Sequence, residues 1–232
     1  MKILQKFKFN IQLFGGRGTG SFSGKAQIGS GGGGSAGEDL PVAGWTPDAG
    51  SRYVDGAKTM NSAEKRIQNL DHEQAVVVDK DGYVVAVVDG GEHSVGLTPR
   101  AIKAVNNGGT LTHNHPNGGT FSDADIISAG QMGAKEIRAV SKSTGKSYSL
   151  KAGNGADGAG LAKAMQKDSN QILKNVNTKL DKTVNKRKYA NKENFVRAVN
   201  KVYDDEMGGW LSTNAKKYGY TYTATKTGSY KN

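Results

Sequence analysis

Two of the four histidines in this 232-residue chain lie two positions apart, in Thr112-His113-Asn-His115-Pro116. In an extended segment, residues i and i+2 point to the same side, so His113 and His115 can approach one ion together. Pro116 and Gly118-Gly119 then turn the chain. Ser122 starts a helix, and Asp125, three residues on, shares its face. Two imidazoles and a carboxylate on converging elements make a three-ligand zinc site. Its fourth position stays open for water, as in catalytic rather than structural sites. Zinc lowers the pKa of its water to about 7, and a nearby carboxylate can take the proton as the water attacks a carbonyl. Glu73, at the start of an apolar strand, is the first candidate for that base. Glu92, in a Gly-flanked loop, competes with it. Ser122 and Asp125 also fit the N-cap and N3 positions of a capping box, which a metal site does not forbid. His72 and His93 fall outside the pattern and read as surface residues.

The elements that must position these residues follow from the local sequence. Ser62–Leu70 reads as a short helix. Gln74–Val78, the turn Asp79-Lys-Asp-Gly82 and Tyr83–Val88 form a hairpin signal. The valines run with little alternation, which predicts strands covered on both faces. Thr98-Pro99 opens a helix that runs to Val105, with Thr as N-cap and Pro at the first helical position. Thr110–His113 is a strand, Ser122–Met132 a helix, Glu136–Ser141 a strand, and Lys146–Leu150 a strand after Thr144-Gly145. The order α-β-β-α-β-α-β-β over residues 60–152 predicts an α/β (α+β) domain. Two further helices are expected at Leu161–Val184 and Asn191–Met207, and an edge strand or hairpin from Tyr218.

Composition bounds what lies outside this domain. With 35% hydrophobic and 7% aromatic residues and a mean hydropathy of -0.59, one core covering the whole chain is not expected. The absence of cysteine excludes a disulfide scaffold, a Cys-based zinc finger and a thiol nucleophile. Residues 15–37 hold 11 glycines and read as a disordered Gly-rich linker behind an N-terminal peptide. Gly16-Arg-Gly-Thr-Gly20 follows no strand and opens no helix, so it is not a phosphate loop. Polar residues interrupt every N-terminal apolar run, which argues against a secretory signal, and no run approaches the roughly 18 residues of a membrane span. Residues 38–59 read as an irregular connection and 153–160 as a second Gly-rich linker. Residues 161–232 read as a basic, mostly helical module. The net charge is +11 with a pI near 9.6. Residues 151–232 hold 16 of the 32 Lys and Arg but only 7 of the 21 Asp and Glu. Lys182, Lys186, Arg187, Lys188 and Lys192 cluster around Tyr189, a stretch suited to phosphate contacts or to a solvated helical face.

His-x-His-Pro followed by Ser-x-x-Asp resembles the signature of the JAB/MPN metallopeptidases, also called JAMM. The likeness is closest to the RadC-like bacterial branch. There His-Asn-His-Pro follows a helix entered through a Pro-Arg pair, like Pro99-Arg100, and an acidic residue precedes a Val-rich strand, like Glu73. The resemblance covers residues 60–152. It implies the cytidine-deaminase-like mixed sheet flanked by helices. It also implies zinc held by His113, His115 and Asp125, Glu73 as general acid/base, and Ser122 as a donor to the oxyanion of a tetrahedral intermediate. Six residues separate His115 from Ser122 where the family usually has seven, and the stretch from Glu73 to His113 is about ten residues shorter than in the RadC-like proteins.

Separately, Asn10-Ile-Gln-Leu-Phe-Gly-Gly-Arg-Gly18 resembles the opening of structural proteins of tailed phages of Gram-positive bacteria. Two functional expectations follow. One is a zinc hydrolase cleaving a peptide or isopeptide bond in a protein or protein conjugate. The other is a phage particle-associated protein that binds DNA or a capsid through its basic module and uses the JAB-like domain as a scaffold. The expected location is the bacterial cytoplasm or the virion, with no membrane partner.

Overall fold

The computed structural model describes residues 37–92, 94–116, 118–183 and 192–231. In chain order these form Glu38–Leu40 (β1), Gly56–Ile67 (α1), Gln74–Val78 (β2), Val84–Asp89 (β3), Pro99–Asn106 (α2), Thr110–His115 (β4), Asp123–Met132 (α3), Glu136–Ser141 (β5), Lys146–Ala152 (β6), Gly158–Thr183 (α4), Lys192–Asn214 (α5) and Tyr220–Lys226 (β7). The order predicted over residues 60–152 is the order found, in a mixed α/β fold. The expected N-terminal peptide and Gly-rich linker lie outside the described residues apart from Gly37, as does most of the basic cluster around Tyr189.

The apolar runs form strands because both of their faces are covered. β2 is buried along its whole length. Ala75 and Val77 join one apolar cluster, while Val76 and Val78 join another on the opposite face. The turn into β3 is built locally. The Asp79 carboxylate accepts the N–H groups of Asp81 at 3.0 Å and Tyr83 at 2.9 Å. Gly82 takes a φ of 87°, which favours glycine. The seven strands form one sheet in the order β1-β3-β2-β4-β5-β6-β7. Only the β4–β5 pair is parallel, and α3 supplies its crossover.

Helix α1 packs with Trp45 on one face of the sheet, and α2 to α5 cover the other. The α1 face also buries an ionic group. Arg138 on β5 donates to Glu64 on α1 at 2.6 Å and to Glu136 at 3.0 Å. All three are at most 4% exposed. Ser147 and Ser149 donate to the two carboxylates, each at 2.7 Å, and the guanidinium carbon lies 4.4 Å from the centre of the Tyr230 ring.

Two sequence-based boundaries change. The stretch read as an irregular connection contains β1, which pairs with β3, and the first turn of α1. More consequentially, residues 161–232 do not stand apart. Leu161, Met165, Ile172 and Val176 of α4, and Val199, Tyr203, Met207 and Leu211 of α5, share one core with Ala75, Val77 and Ala139. β7 extends the sheet along β6 over seven paired positions. The physical reason is that an amphipathic helix must bury its apolar stripe, and the open face of the sheet takes both stripes. The predicted linker at 153–160 shrinks to a turn, with Asp157 accepting the Gly160 N–H at the start of α4.

Candidate metal centre

The alternation of β4 puts His113 and His115 on the face covered by α2 to α5. They are 5% and 8% exposed, at the end of the strand. Their Nε2 atoms lie 2.9 Å apart. The Asp125 carboxylate meets both, with Oδ1 3.3 Å from His113 Nε2 and Oδ2 3.4 Å from His115 Nε2. The potential ligand atoms of these three residues lie within 4.8 Å of one another and could hold a metal ion.

Local chemistry aims each side chain. Ser122 caps α3: its Oγ accepts the Asp125 N–H at 3.2 Å, and the Asp125 carboxylate accepts the Ser122 N–H at 2.7 Å, completing the capping box. The Ser122 hydroxyl also donates to Asp125 Oδ2 at 2.8 Å, so it orients the carboxylate that faces the histidines. His115 Nδ1 lies 3.3 Å from the Gly119 carbonyl. A proton on Nδ1 donated there leaves Nε2 as the atom facing the cluster, the arrangement that metal-binding histidines use.

Burial opposes charge on His115, but the Asp125 carboxylate and then Glu73 outweigh it and push its pKa up to about 9. Burial likewise opposes charge on Asp125, and His113 and His115 reverse that, holding its carboxyl well below the usual range. His115 and Asp125 therefore carry opposite charges that offset each other before any ion arrives.

Glu73 precedes β2 by one residue. Its N–H donates to the Gly91 carbonyl at 2.8 Å, and its carbonyl accepts from Gly90 at 2.9 Å, continuing the β2–β3 pairing by one step. Ala75 stands opposite His113, and Glu73 lies two residues before Ala75, on the histidine side by parity. Glu92 is exposed on the loop after β3. His72 is one-third exposed, between Asp71 at 3.1 Å and Asp89 at 2.9 Å, and His93 lies outside the described residues.

Sequence reasoning missed Asp204. This α5 carboxylate accepts the Thr120 N–H at 2.6 Å and the Tyr148 hydroxyl at 2.7 Å. Tyr203 beside it donates to the Phe121 carbonyl at 3.3 Å. On the other side of the loop, Ser141 and Ser143 donate to the Gly118 carbonyl at 2.6 and 2.8 Å. The connection between His115 and Asp125 is thus pinned from α5 and from the β5–β6 turn. No local signal marks Asp204, because its partners are 84 and 56 residues away.

Gly119 packs so closely on Asp204 that a Cβ there would fall inside the carboxylate. Gly119→Ala is expected to displace the loop carbonyl from His115 and weaken metal binding by about 10–100-fold, the usual cost of losing an outer partner. Isothermal titration of zinc into both proteins checks this, and equal affinities would refute it.

Comparison of the chain with known protein families, curated proteins and solved structures gives no match. Among the described residues, no helix is long and apolar enough to cross a membrane.

Proposed function

We propose that this chain is a JAMM-type zinc metallohydrolase, encoded by a phage or prophage, that cleaves a peptide or isopeptide bond. The observation that carries this reading is the convergence of His113, His115 and Asp125, with Glu73 near enough to act electrostatically on His115. The donor set suits zinc, whose tetrahedral ligands at about 2.0–2.1 Å stand roughly 3.3 Å from one another. The distances of 2.9, 3.3 and 3.4 Å need only a few tenths of an ångström of relaxation.

Zinc bound there would supply a water acidified to near neutral pH and an electrophile for the scissile carbonyl. The chain does the rest. His113, His115 and Asp125 hold the ion. Glu73 takes the proton from the attacking water and returns it to the leaving nitrogen. Ser122 orients Asp125 and, by turning its hydroxyl outward, donates to the developing oxyanion. The substrate is a peptide or a protein conjugate.

The test measures zinc content by elemental analysis, then rates on peptide and isopeptide substrates. Glu73→Gln is expected to retain zinc and lose about 10²–10⁴-fold in rate, the range of general base catalysis. A zinc-free protein, or a variant as fast as wild type, would sink the reading.

The basic surplus behind residue 150 favours a second reading, in which the same chain binds DNA or an acidic capsid surface. A gel shift that weakens steeply with salt supports the DNA version, and no shift at low salt removes it.

A further inference from the structure

Between the two histidines stands Asn114, which is fully buried. Its neighbours face the metal group, so by alternation its own side chain points to the other side of the sheet. The β2–β4 ladder ends with Ala75 opposite His113. Beyond that pair the Asn114 side chain takes over from the backbone. Its Oδ1 accepts the Gln74 N–H at 2.6 Å, and its Nδ2 donates to the His72 carbonyl at 2.8 Å. A backbone N–H can only donate and a backbone C=O can only accept, so the two partners fix which way the amide faces. These two groups belong to the residues on either side of Glu73. One side chain therefore grips both ends of the short segment that carries Glu73, and it is anchored on the strand that carries both histidines.

We infer that Asn114 is a positioning residue that fixes Glu73 relative to His113 and His115 without itself meeting the metal or the substrate. The inference rests on the hydrolase reading for its functional meaning and on the two hydrogen bonds for its geometry. The side-chain clamp does what one more ladder step would do, and it leaves the other face of the strand to the histidines. A carboxylate that must take a proton from a water on the ion that the histidines would hold gains from that rigid link, because a displacement of about 1 Å at such a centre can cost 10²-fold in rate.

The test uses the full chain. In wild type the Gln74 amide is expected among the slowly exchanging ones; free exchange there would overturn the clamp. Asn114→Ala is expected to speed that exchange at least about tenfold, as local opening no longer breaks a buried bond. It should bind Co²⁺ with wild-type stoichiometry and unchanged visible bands, and its crystal structure should show Glu73 displaced while His113 and His115 stay. The turnover number should fall about 100-fold with KM unchanged, and Asn114→Ala should add less than about twofold to Glu73→Gln. Asn114→Asp keeps the size and the acceptor for Gln74 but loses the donor to His72, so the same loss of turnover and shift of Glu73 are expected without a cavity, with the Gln74 amide still slow to exchange. An unmoved Glu73, a loss of Co²⁺ stoichiometry, or a full second loss in the Glu73→Gln background would overturn the inference. A wild type that binds no metal would instead refute the hydrolase reading, and amide exchange and the variant's crystal structure would still decide the clamp.

Discussion

His113→Ala is expected to bind zinc at least about 100-fold more weakly than wild type and to hydrolyse no substrate above background. Loss of an outer partner alone costs a metal site about 10–100-fold, and here a proposed ligand itself is removed. Competition with a chromophoric chelator measures the affinity, and equal binding by the two proteins would rule out His113 as a ligand. The wild-type affinity carries a pH signature. The raised pKa of His115, about 9, means that the metal-free protein holds a proton there at neutral pH. Binding must expel it, so zinc affinity is expected to rise with pH up to about 9 and then level off. The metal-free fold shows the converse. The stabilisation from charged His115 is fully present below its unfolded pKa of about 6.5 and is lost as pH rises through about 9.

The largest effect on stability is expected on the opposite face of the sheet from the histidines. Arg138→Met leaves Glu64 buried without its cation and Glu136 with only the exposed Lys151 ammonium, 3.9 Å away, although Ser147, Ser149 and Tyr230 still donate to the two carboxylates. Breaking a buried pair by removing one partner costs about 3–5 kcal/mol. Chemical denaturation should show a loss of that size, and adding Glu64→Gln should recover part of it, because the neutral amide removes one of the stranded charges. A loss below about 1 kcal/mol would mean that the serine and tyrosine donors already satisfy both carboxylates.

Local chemistry was legible along the chain. The Val-rich hairpin, the Thr98-Pro99 helix start, the Ser122–Asp125 capping box and the two-residue spacing of the histidines each depend on a few neighbouring residues, and each is found. What was not legible depends on distance along the chain. The three residues of β1 carry no strand signal of their own and are defined by β3. The stripes on α4 and α5 are visible in the sequence, but the sheet face that receives them is not, so residues 161–232 read as a separate module although they share the core. Asn114 lies inside the histidine motif, yet its role depends on where Gln74 and His72 arrive, about 40 residues earlier. The glycines at 118 and 119 read as turn residues in the sequence. Gly119 is also where Asp204 of α5 packs too closely to leave room for a Cβ.

The grip of α5 on the loop between His115 and Asp125 bears on the order in which the protein matures. A nascent chain that has reached Ala152 already contains Glu73, both histidines and Asp125, but not Asp204 or Tyr203. Its candidate ligands are complete in sequence, and Ser141 and Ser143 are present to hold Gly118, while the Thr120–Phe121 side of the loop lacks its anchors. That side of the loop is therefore fixed only after α5 is made and docked. Synthesis itself delays the finished site until the domain around it is closed.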